Sequence, residues 1–244
     1  MEEILKVKQL SKSYHGNRAV TNLNLSVKKG MVLGLLGANG AGKSTSIECI
    51  LGTKKPDSGF VTVLGKNPIS DRKQLFQNVG VQFQEANYQR EIKVDELCDE
   101  TSAIYKNPKD WHNLLKQFGI IEKERCAVKD LSGGERQRLF IILALIPNPQ
   151  IVFLDELTTG LDAKARKEVW KTLDNLKKNG LTIILTSHFM DEVEVLCDII
   201  CILKKGETVF YGTVNEAIAK SPYDKFEDAY LWFSDEEGRQ DENI

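Results

Sequence analysis

The segment LLGANGAGKST (Leu35–Thr45) places a glycine-rich turn between an apolar run and a lysine that is followed by two hydroxyl residues. From Gly37 to Ser44 it fits the phosphate-binding pattern G-x-x-x-x-G-K-[ST]. Glycines let the backbone N–H groups of such a loop turn inward, and the next helix presents its positive end to an anion. We therefore expect a nucleotide here, with Lys43 at the β- and γ-phosphates and the Ser44 hydroxyl on Mg²⁺. A glycine-rich turn without a ligand is the alternative.

A second apolar run, IVFLDE (Ile151–Glu156), ends in two adjacent acids. A phosphate loop of this type works with a carboxylate at a strand end that holds the metal. We expect Asp155 to hold Mg²⁺, through Ser44 or water, and Glu156 to orient and polarise the attacking water. An ordinary strand that ends in acids is the alternative, and the presence of the phosphate loop argues against it.

Composition and charge exclude several classes of function. The chain has 244 residues, with 33 Lys and Arg against 35 Asp and Glu, so its formal net charge is -2. This balance gives no electrostatic footprint for nucleic acid, and we expect no nucleic-acid partner. The cysteines form no CxxC pair, which predicts reduced core residues of a cytosolic protein rather than a zinc site or disulfides. They are Cys49, Cys98, Cys126, Cys197 and Cys201.

The sequence also predicts a chain that does not cross a membrane by itself. Its longest uninterrupted apolar run is Leu139–Ile146, whereas a spanning helix needs roughly 20 apolar residues. The N-terminal segment MEEILKVKQL is too charged for a signal peptide.

The order of the elements predicts an α/β fold. Alternating apolar residues in the first 27 positions indicate strands with a turn between them, and the run Met31–Gly37 indicates a strand buried on both faces. Strands that then alternate with helices predict a mainly parallel, doubly wound sheet. The further elements expected are a helix from Gly42 to Gly52, a pair of strands at Phe60–Leu64 and Val79–Phe83, a helix at Gly134–Ile146, a strand at Ile151–Asp155, a helix at Ala163–Lys178, a strand at Leu181–Ser187, a short helix and a strand at Ile199–Leu203.

One stretch differs in character from the rest of the chain. From about Glu85 to Asp130 the apolar residues recur at helical spacing, which predicts a helical subdomain inserted in the α/β core over about residues 85–145. We predict a single domain over residues 1–234, followed by a flexible acidic tail at 235–244. Four residues before the tail recur at roughly helical spacing and are expected to pack this segment onto the domain; they are Phe226, Tyr230, Leu231 and Trp232.

The segment LSGGERQRL (Leu131–Leu139) decides between families. A serine before a helix is a plausible N-cap, which accounts for Ser132 but not for the two glycines that follow. Together with the phosphate loop and the acidic strand end, this segment resembles the nucleotide-binding subunits of ABC (ATP-binding cassette) transporters. The resemblance covers the chain from about Ile4 to Gly212, and it implies a P-loop NTPase fold, ATPase activity and the cofactors ATP and Mg²⁺.

The resemblance also implies roles for individual residues. Tyr14 would stack on the adenine, and His188 would contact the γ-phosphate. Gln84 would touch Mg²⁺ or the attacking water, with Gln82 as a weaker alternative. The phosphate loop would comprise Gly37, Asn39, Gly40, Ala41, Gly42, Lys43, Ser44 and Thr45; the signature motif would comprise Ser132, Gly133 and Gly134; and the D-loop aspartate would be Asp162.

Partners follow from the same resemblance. In this family the signature motif caps the γ-phosphate of the ATP held by the opposite chain, so a second copy of this chain is expected in a two-fold dimer around two ATP molecules. A separate transmembrane permease would hold the dimer at the cytoplasmic face of the cell membrane.

Three departures from the family pattern concern the rate of turnover rather than the presence of activity. Glu135 stands where the family often has glutamine, and a carboxylate there is expected to lie near the partner's γ-phosphate. Leu157 stands where proline commonly follows the catalytic glutamate. The segment IILALIPNP lacks the arginine often seen after the signature helix.

The use of the hydrolysis is open between two classes. A transporter motor is favoured over an ABC ATPase that acts on a soluble partner, because the chain has no long coiled-coil insertion, no tandem cassette and no cysteine-rich element. The segments GANGAGKST, ELTTGLD and FEDAYL resemble those of drug, antibiotic and peptide exporters, which favours export. An importer is the alternative.

Overall fold

The computed structural model describes residues 2–82, 89 and 91–234. Gln84 and the predicted acidic tail at 235–244 lie outside the described residues. The strands are β1 (Glu3–Tyr14), β2 (Asn17–Lys28), β3 (Val32–Leu36), β4 (Ser58–Val63), β5 (Val79–Gln82), β6 (Ile151–Leu154), β7 (Thr182–Leu185), β8 (Ile199–Lys204) and β9 (Glu207–Gly212). The helices are α1 (Lys43–Ile50), α2 (Arg72–Leu75), α3 (Val94–Ala103), α4 (Trp111–Gln117), α5 (Gly133–Leu145), α6 (Ala163–Lys178), α7 (Met190–Leu196), α8 (Val214–Lys220) and α9 (Phe226–Ser234).

The chain divides into two compact units, which we describe separately. The first unit lies within Met1–Arg72 and Thr186–Ile244, and the second is Lys73–Leu185. The predicted single domain and its inserted helical subdomain stay predictions.

An antiparallel sheet opens the first unit, as the alternating residues predicted. Its strand order is β2-β1-β4, with Val7 paired to Leu25 on one side and to Val61 on the other. These three side chains are buried. Because successive side chains of a strand point to opposite faces, the sheet buries one face and leaves polar residues on the other.

In the first unit, β8 and β9 follow β3 in order on one side of it. All five residues of β3 are buried, as its continuous apolar run predicted. It pairs in parallel with β8, from Leu33 opposite Ile199 to Leu36 opposite Ile202, and β9 then pairs antiparallel to β8. Leu36 is the last residue of β3, and the phosphate loop begins at the next residue, Gly37.

The C-terminal helices α8 and α9 pack on this unit. Phe226 and Phe233 of α9 are buried in a cluster with Leu36, Ile202 and Phe210. The prediction that this segment packs onto the fold is confirmed for Phe226, and Tyr230 and Trp232 are packed against the same cluster. The prediction was wrong for Leu231, which is 46% exposed. In the last turn of α9 the buried side chain is that of Phe233 instead.

The second unit contains three parallel strands in the order β5-β6-β7. The four residues of β6 are buried, as expected for a strand covered on both faces. A Cβ atom at Gly80 would collide with the carbonyl oxygen of Ala144, so glycine lets the end of α5 approach β5 closely. The two strands expected as a pair near residues 60 and 80 both form, but β4 pairs with β1 and β5 pairs with β6.

Helices dominate the second unit between β5 and β6. They are α3, α4 and α5, with short 3-10 helices at Ile121–Lys123 and Val128–Asp130. The Trp111 Nε1 donates to Asp99 Oδ1 at 2.9 Å, which joins the start of α4 to α3. In the part of the chain that the structure describes, no helix combines the length and the apolar character that crossing a membrane requires.

The cysteines are free thiols, and most of them are buried. All five are free, with Cys49, Cys98 and Cys201 buried and the other two half-buried. Burial raises the pKa of Cys49 to about 11 and the pKa values of Cys98 and Cys201 to about 12. These three thiols therefore stay protonated at neutral pH, as expected of core residues.

Candidate functional site

The phosphate loop connects β3 to α1 in the first unit, and close backbone contacts require glycine at two of its three glycine positions. Gly37 and Gly42 have φ angles of 146° and 103°. A Cβ atom would collide with the carbonyl oxygen of Leu203 at the first position and with that of Ala19 at the second. The loop is therefore held between the end of β8 and the start of β2, with no room for larger residues at these two positions.

The outer part of the loop is open. Gly40 has a φ of 80°, and among the described residues nothing lies within 4 Å of a Cβ placed there. Lys43 folds back over the loop, where its Nζ donates to the carbonyl oxygens of Gly37 at 2.7 Å and Ala38 at 3.2 Å. Within the described chain, α1 begins without a side-chain cap and without an acid in its first turn. These features fit a phosphate, because they leave the positive helix end to an external anion.

The remaining loop residues also fit a phosphate site. Asn39 and Ser44 are exposed, Thr45 is half-buried and Ala41 is buried. The carbonyl of Ala41 accepts from Gly206 N at 3.1 Å, which fixes the loop to the β8–β9 turn. The Ser44 hydroxyl, as a neutral oxygen donor beside a phosphate site, suits Mg²⁺.

Tyr14 and His188 belong to the same unit as the loop. Tyr14 ends β1 with its ring 37% exposed and Lys12 Nζ 5.4 Å from the ring centroid. Its hairpin partner β2 carries Ala19 against Gly42, so this hairpin borders the loop. His188 is exposed in a turn where Ser187 Oγ accepts from Phe189 N at 3.0 Å.

The two acids follow β6 in the second unit. Asp155 and Glu156 are half-buried, and Asp155 N donates to the carbonyl oxygen of Gln82 at 3.3 Å. Gln82 is buried as the last residue of β5. Carboxylate oxygens at this position have the chemistry that Mg²⁺ prefers.

Glu156 has a strained backbone. Its φ is 49°, in the left-handed region that costs a residue with a side chain about 1–3 kcal/mol. The conformation is held by hydrogen bonds to two carbonyls. Gln137 Nε2 on α5 donates to the oxygens of Glu156 at 3.2 Å and Leu157 at 2.9 Å, and Thr159 N also donates to the Glu156 oxygen at 3.2 Å.

Ser132 caps α5, as the simplest interpretation of the sequence predicted. Its Oγ accepts from Glu135 N at 3.3 Å, while a Glu135 carboxylate oxygen accepts from Ser132 N at 2.8 Å. Lys123 Nζ lies 3.0 Å from the other Glu135 oxygen. The Ser132 N–H, with Lys123, lowers the pKa of Glu135. The carboxylate that stands in place of glutamine is therefore engaged within its own chain.

The two signature glycines differ in what the fold demands of them. A Cβ at Gly134 would lie 3.2 Å from Leu161 Cδ2, so space is tight there. In the described structure a Cβ at Gly133 would meet nothing within 4 Å, and its φ is not positive. The fold of the described chain therefore gives no reason for glycine at position 133.

Asp162 has a local role that the resemblance did not include. Its side chain accepts from Ala165 N at 2.8 Å and caps the 16-residue helix α6. This bond lowers the pKa of Asp162. An aspartate just before an apolar helical pattern is an N-cap signal, so the sequence contained this information. The contacts of Gln137 had no such signal.

Comparison with known proteins agrees with this geometry. The family model described as ABC transporter matches residues 20–159. Nod factor export ATP-binding protein I of Ralstonia nicotianae is 36% identical over 220 residues, which cover 88% of this chain and 68% of that protein. ABC transporter A family member 7 of Dictyostelium discoideum is 39% identical over 224 residues, and the chain spans only 26% of its length.

Solved structures share the fold. An ATP-binding subunit of an ABC transporter superposes with a TM-score of 0.86 at 23% identity, covering 94% of this chain and 99% of that one. cbiO1 from Clostridium perfringens, described as part of the ABC transporter complex cbiONQ, gives 0.76 at 29% identity over 95% and 99% of the two chains. The chain is thus a P-loop α/β protein that belongs to the ABC transporter family, in which it is an ATP-binding domain with ATPase activity.

Proposed function

We propose that this chain is the ATP-hydrolysing motor of an exporter, in which two copies close around two ATP molecules and drive a separate transmembrane permease. The observation that carries the proposal is Gly133, an exposed helix-start glycine that the described fold does not require. A backbone free of side chains is useful where a ligand approaches closely.

Nucleotide binding is assigned to the first unit. Tyr14 stacks on the adenine, and the loop from Gly37 to Thr45 surrounds the phosphates. Lys43 exchanges its two loop carbonyls for β- and γ-phosphate oxygens, because charge-assisted bonds to an anion are the stronger ones. His188 contacts the γ-phosphate from its exposed turn.

Hydrolysis is assigned to the acids that follow β6. Asp155, with Ser44 and Gln84, would hold Mg²⁺, which when bound would neutralise charge on the phosphate oxygens. Glu156 accepts a proton from the attacking water and orients it. The strained backbone of Glu156 supports this role, because such strain persists only where the surrounding structure imposes it.

Dimerisation is assigned to the signature motif. Ser132, Gly133 and the N-terminus of α5 cap the γ-phosphate held by a second copy of the chain, with Asp162 nearby in the D-loop. ADP lacks the γ-phosphate, so ATP closes the dimer and hydrolysis reopens it. Glu135 accepts a hydrogen bond from Ser132 N and pairs with Lys123. Both interactions support this arrangement, because they reduce the repulsion between the Glu135 carboxylate and the incoming phosphate.

Export and the permease are supported by names of similar proteins. The Ralstonia relative is named for Nod factor export, and cbiO1 is described as part of a transporter complex. The motif similarity to drug, antibiotic and peptide exporters supports a cargo of that class, which the permease would select. The complex would lie at the cytoplasmic face of the cell membrane.

Copurification tests the proposal. The Glu156→Gln variant would be tagged, captured with ATP from native membranes in mild detergent and compared with a capture in ADP and with an untagged strain. We expect a stoichiometric polytopic membrane protein in the tagged captures alone. A chain that stayed in the soluble fraction with soluble partners alone would contradict transport and leave the ATPase activity standing.

A further inference from the structure

Gln137 joins the signature helix to the catalytic acid of the same chain. It lies on α5, five residues after the capping Ser132, and its side chain is half-buried. At a rise of about 1.5 Å per residue, this spacing places it roughly 7.5 Å along the helix axis from the cap. Its carboxamide nitrogen donates to the carbonyl oxygens of Glu156 and Leu157.

The two acceptors are consecutive peptide groups on the C-terminal side of Glu156. A left-handed φ at Glu156 is unfavourable for a residue with a side chain, so the turn relaxes unless its peptide groups are held. The N–H of Thr159 holds one of the two oxygens within the turn itself. Gln137 donates to both carbonyl oxygens from a different element, the helix α5. The side chain of Leu157 is fully buried.

The helix that carries Gln137 is itself anchored. The next residue, Arg138, donates through its guanidinium to the carbonyl oxygen of Phe118 at 3.1 Å, at the end of α4. Within one turn of α5, Arg138 therefore binds the end of α4 and Gln137 binds the backbone of Glu156. Such an arrangement ties the backbone of Glu156 to α5.

We propose that Gln137 is a positioning residue for hydrolysis: its carboxamide holds the Glu156–Leu157 backbone so that the Glu156 carboxylate faces the attacking water. This inference rests on the proposed function, which makes Glu156 the group that activates water. Gln137 touches neither nucleotide nor water in this scheme. Its effect should therefore appear in kcat and leave ATP affinity unchanged.

Two substitutions of similar size test the hydrogen bond. Gln137→Met removes the donor, and Gln137→Glu replaces it with a carboxylate oxygen that opposes both carbonyls. We expect kcat for ATP hydrolysis to fall about tenfold in the first variant, which loses both hydrogen bonds, and further in the second. The KM for ATP and the Kd measured with a non-hydrolysable analogue should stay near those of the unchanged chain, and the Tm of Gln137→Met should fall by only about 2–4 °C. Gln117→Met, at the exposed end of α4, is the matched control and should keep full kcat.

A double-mutant cycle identifies the residue through which Gln137 acts. In a Glu156→Gln background, Gln137→Met should add no further loss to the residual single-turnover rate, because the group that it positions is already gone. An equal further loss would overturn the proposal, as would full kcat in both Gln137 variants or a parallel loss of kcat, ATP affinity and Tm. If Glu156→Gln alone hydrolysed ATP normally, the proposed function itself would fail, which is a distinct result.

Discussion

At the scale of the residue, Lys43 makes hydrogen bonds in the structure that we propose it exchanges for bonds to phosphate. Its ammonium closes the loop on the carbonyls of Gly37 and Ala38 in the structure. Neutral carbonyls are weaker partners for an ammonium than phosphate oxygens are. The same side chain can therefore keep the loop in shape without nucleotide and bind the phosphates when ATP arrives.

Replacement of this lysine should weaken ATP binding. In Lys43→Ala the loss of one or more charge-assisted hydrogen bonds, each worth about 1.5–3 kcal/mol, should lower ATP affinity by at least about tenfold. Titration calorimetry with ATP would measure the loss. Lys54→Ala, which changes an exposed lysine beyond α1, is the control and should bind ATP normally. Unchanged affinity in Lys43→Ala would refute the assignment of the phosphate loop.

At the scale of the element, the start of α5 shows how a departure from the family pattern is accommodated. Glu135 completes a capping box with Ser132 and pairs with Lys123. Its charge therefore contributes to the stability of its own helix, as an acid in a first helical turn generally does. The sequence predicted the cap at Ser132 but not the partner Lys123, which comes from a 3-10 helix before the motif.

This charge should be visible in acid unfolding. The folded pKa of Glu135 lies below its ordinary value of 4.5, so its contribution is present above that pH and is lost as the pH falls through the lowered value. Between about pH 5 and pH 3, the Tm of Glu135→Gln should therefore fall less steeply than that of the unchanged chain. Glu122→Gln, at an exposed position beside Lys123, is the matched control for the loss of one carboxylate. Identical slopes for Glu135→Gln and the unchanged chain would exclude this contribution.

The last helix offers a matched pair of side chains. Phe233 is buried, and its ring centroid lies 5.0 Å from that of Phe210. Leu231, on the same helix, is exposed. Phe233→Ala should lower the free energy of unfolding by about 3 kcal/mol or more because it leaves a cavity. Leu231→Ala should change it by less than about 0.5 kcal/mol. Urea unfolding measures both, and equal losses would show that α9 does not pack as described.

Elements with strong local signals could be predicted from the sequence, and the others could not. The strands β3 and β6 are continuous apolar runs because both their faces are covered. In contrast, β9 buries only Phe210 fully, so its run ETVFYG gives little pattern and the strand was missed. The contact of Gln137 with Glu156 is tertiary, and no spacing within the sequence encodes it.

At the scale of the whole molecule, contacts within the described chain explain most features of the site and leave one of them for the proposed contact between two copies. Gly37 and Gly42 are explained by contacts within the chain, and so are the caps at Ser132 and Asp162. Gly133 is not explained by the described contacts. We assign Gly133 to a phosphate held by a second copy, so ATP-dependent dimerisation is the central claim.

The measurement that tests this claim most directly is the mass of Glu156→Gln in solution by light scattering, with ATP and with ADP. Removal of the carboxylate that activates water should slow hydrolysis by about a hundredfold or more, so ATP stays bound. We predict a dimer with ATP and a monomer with ADP, and a monomer in both when Lys43→Ala is added. A variant that remains monomeric with bound ATP, or that hydrolyses ATP at the unchanged rate, would contradict the account.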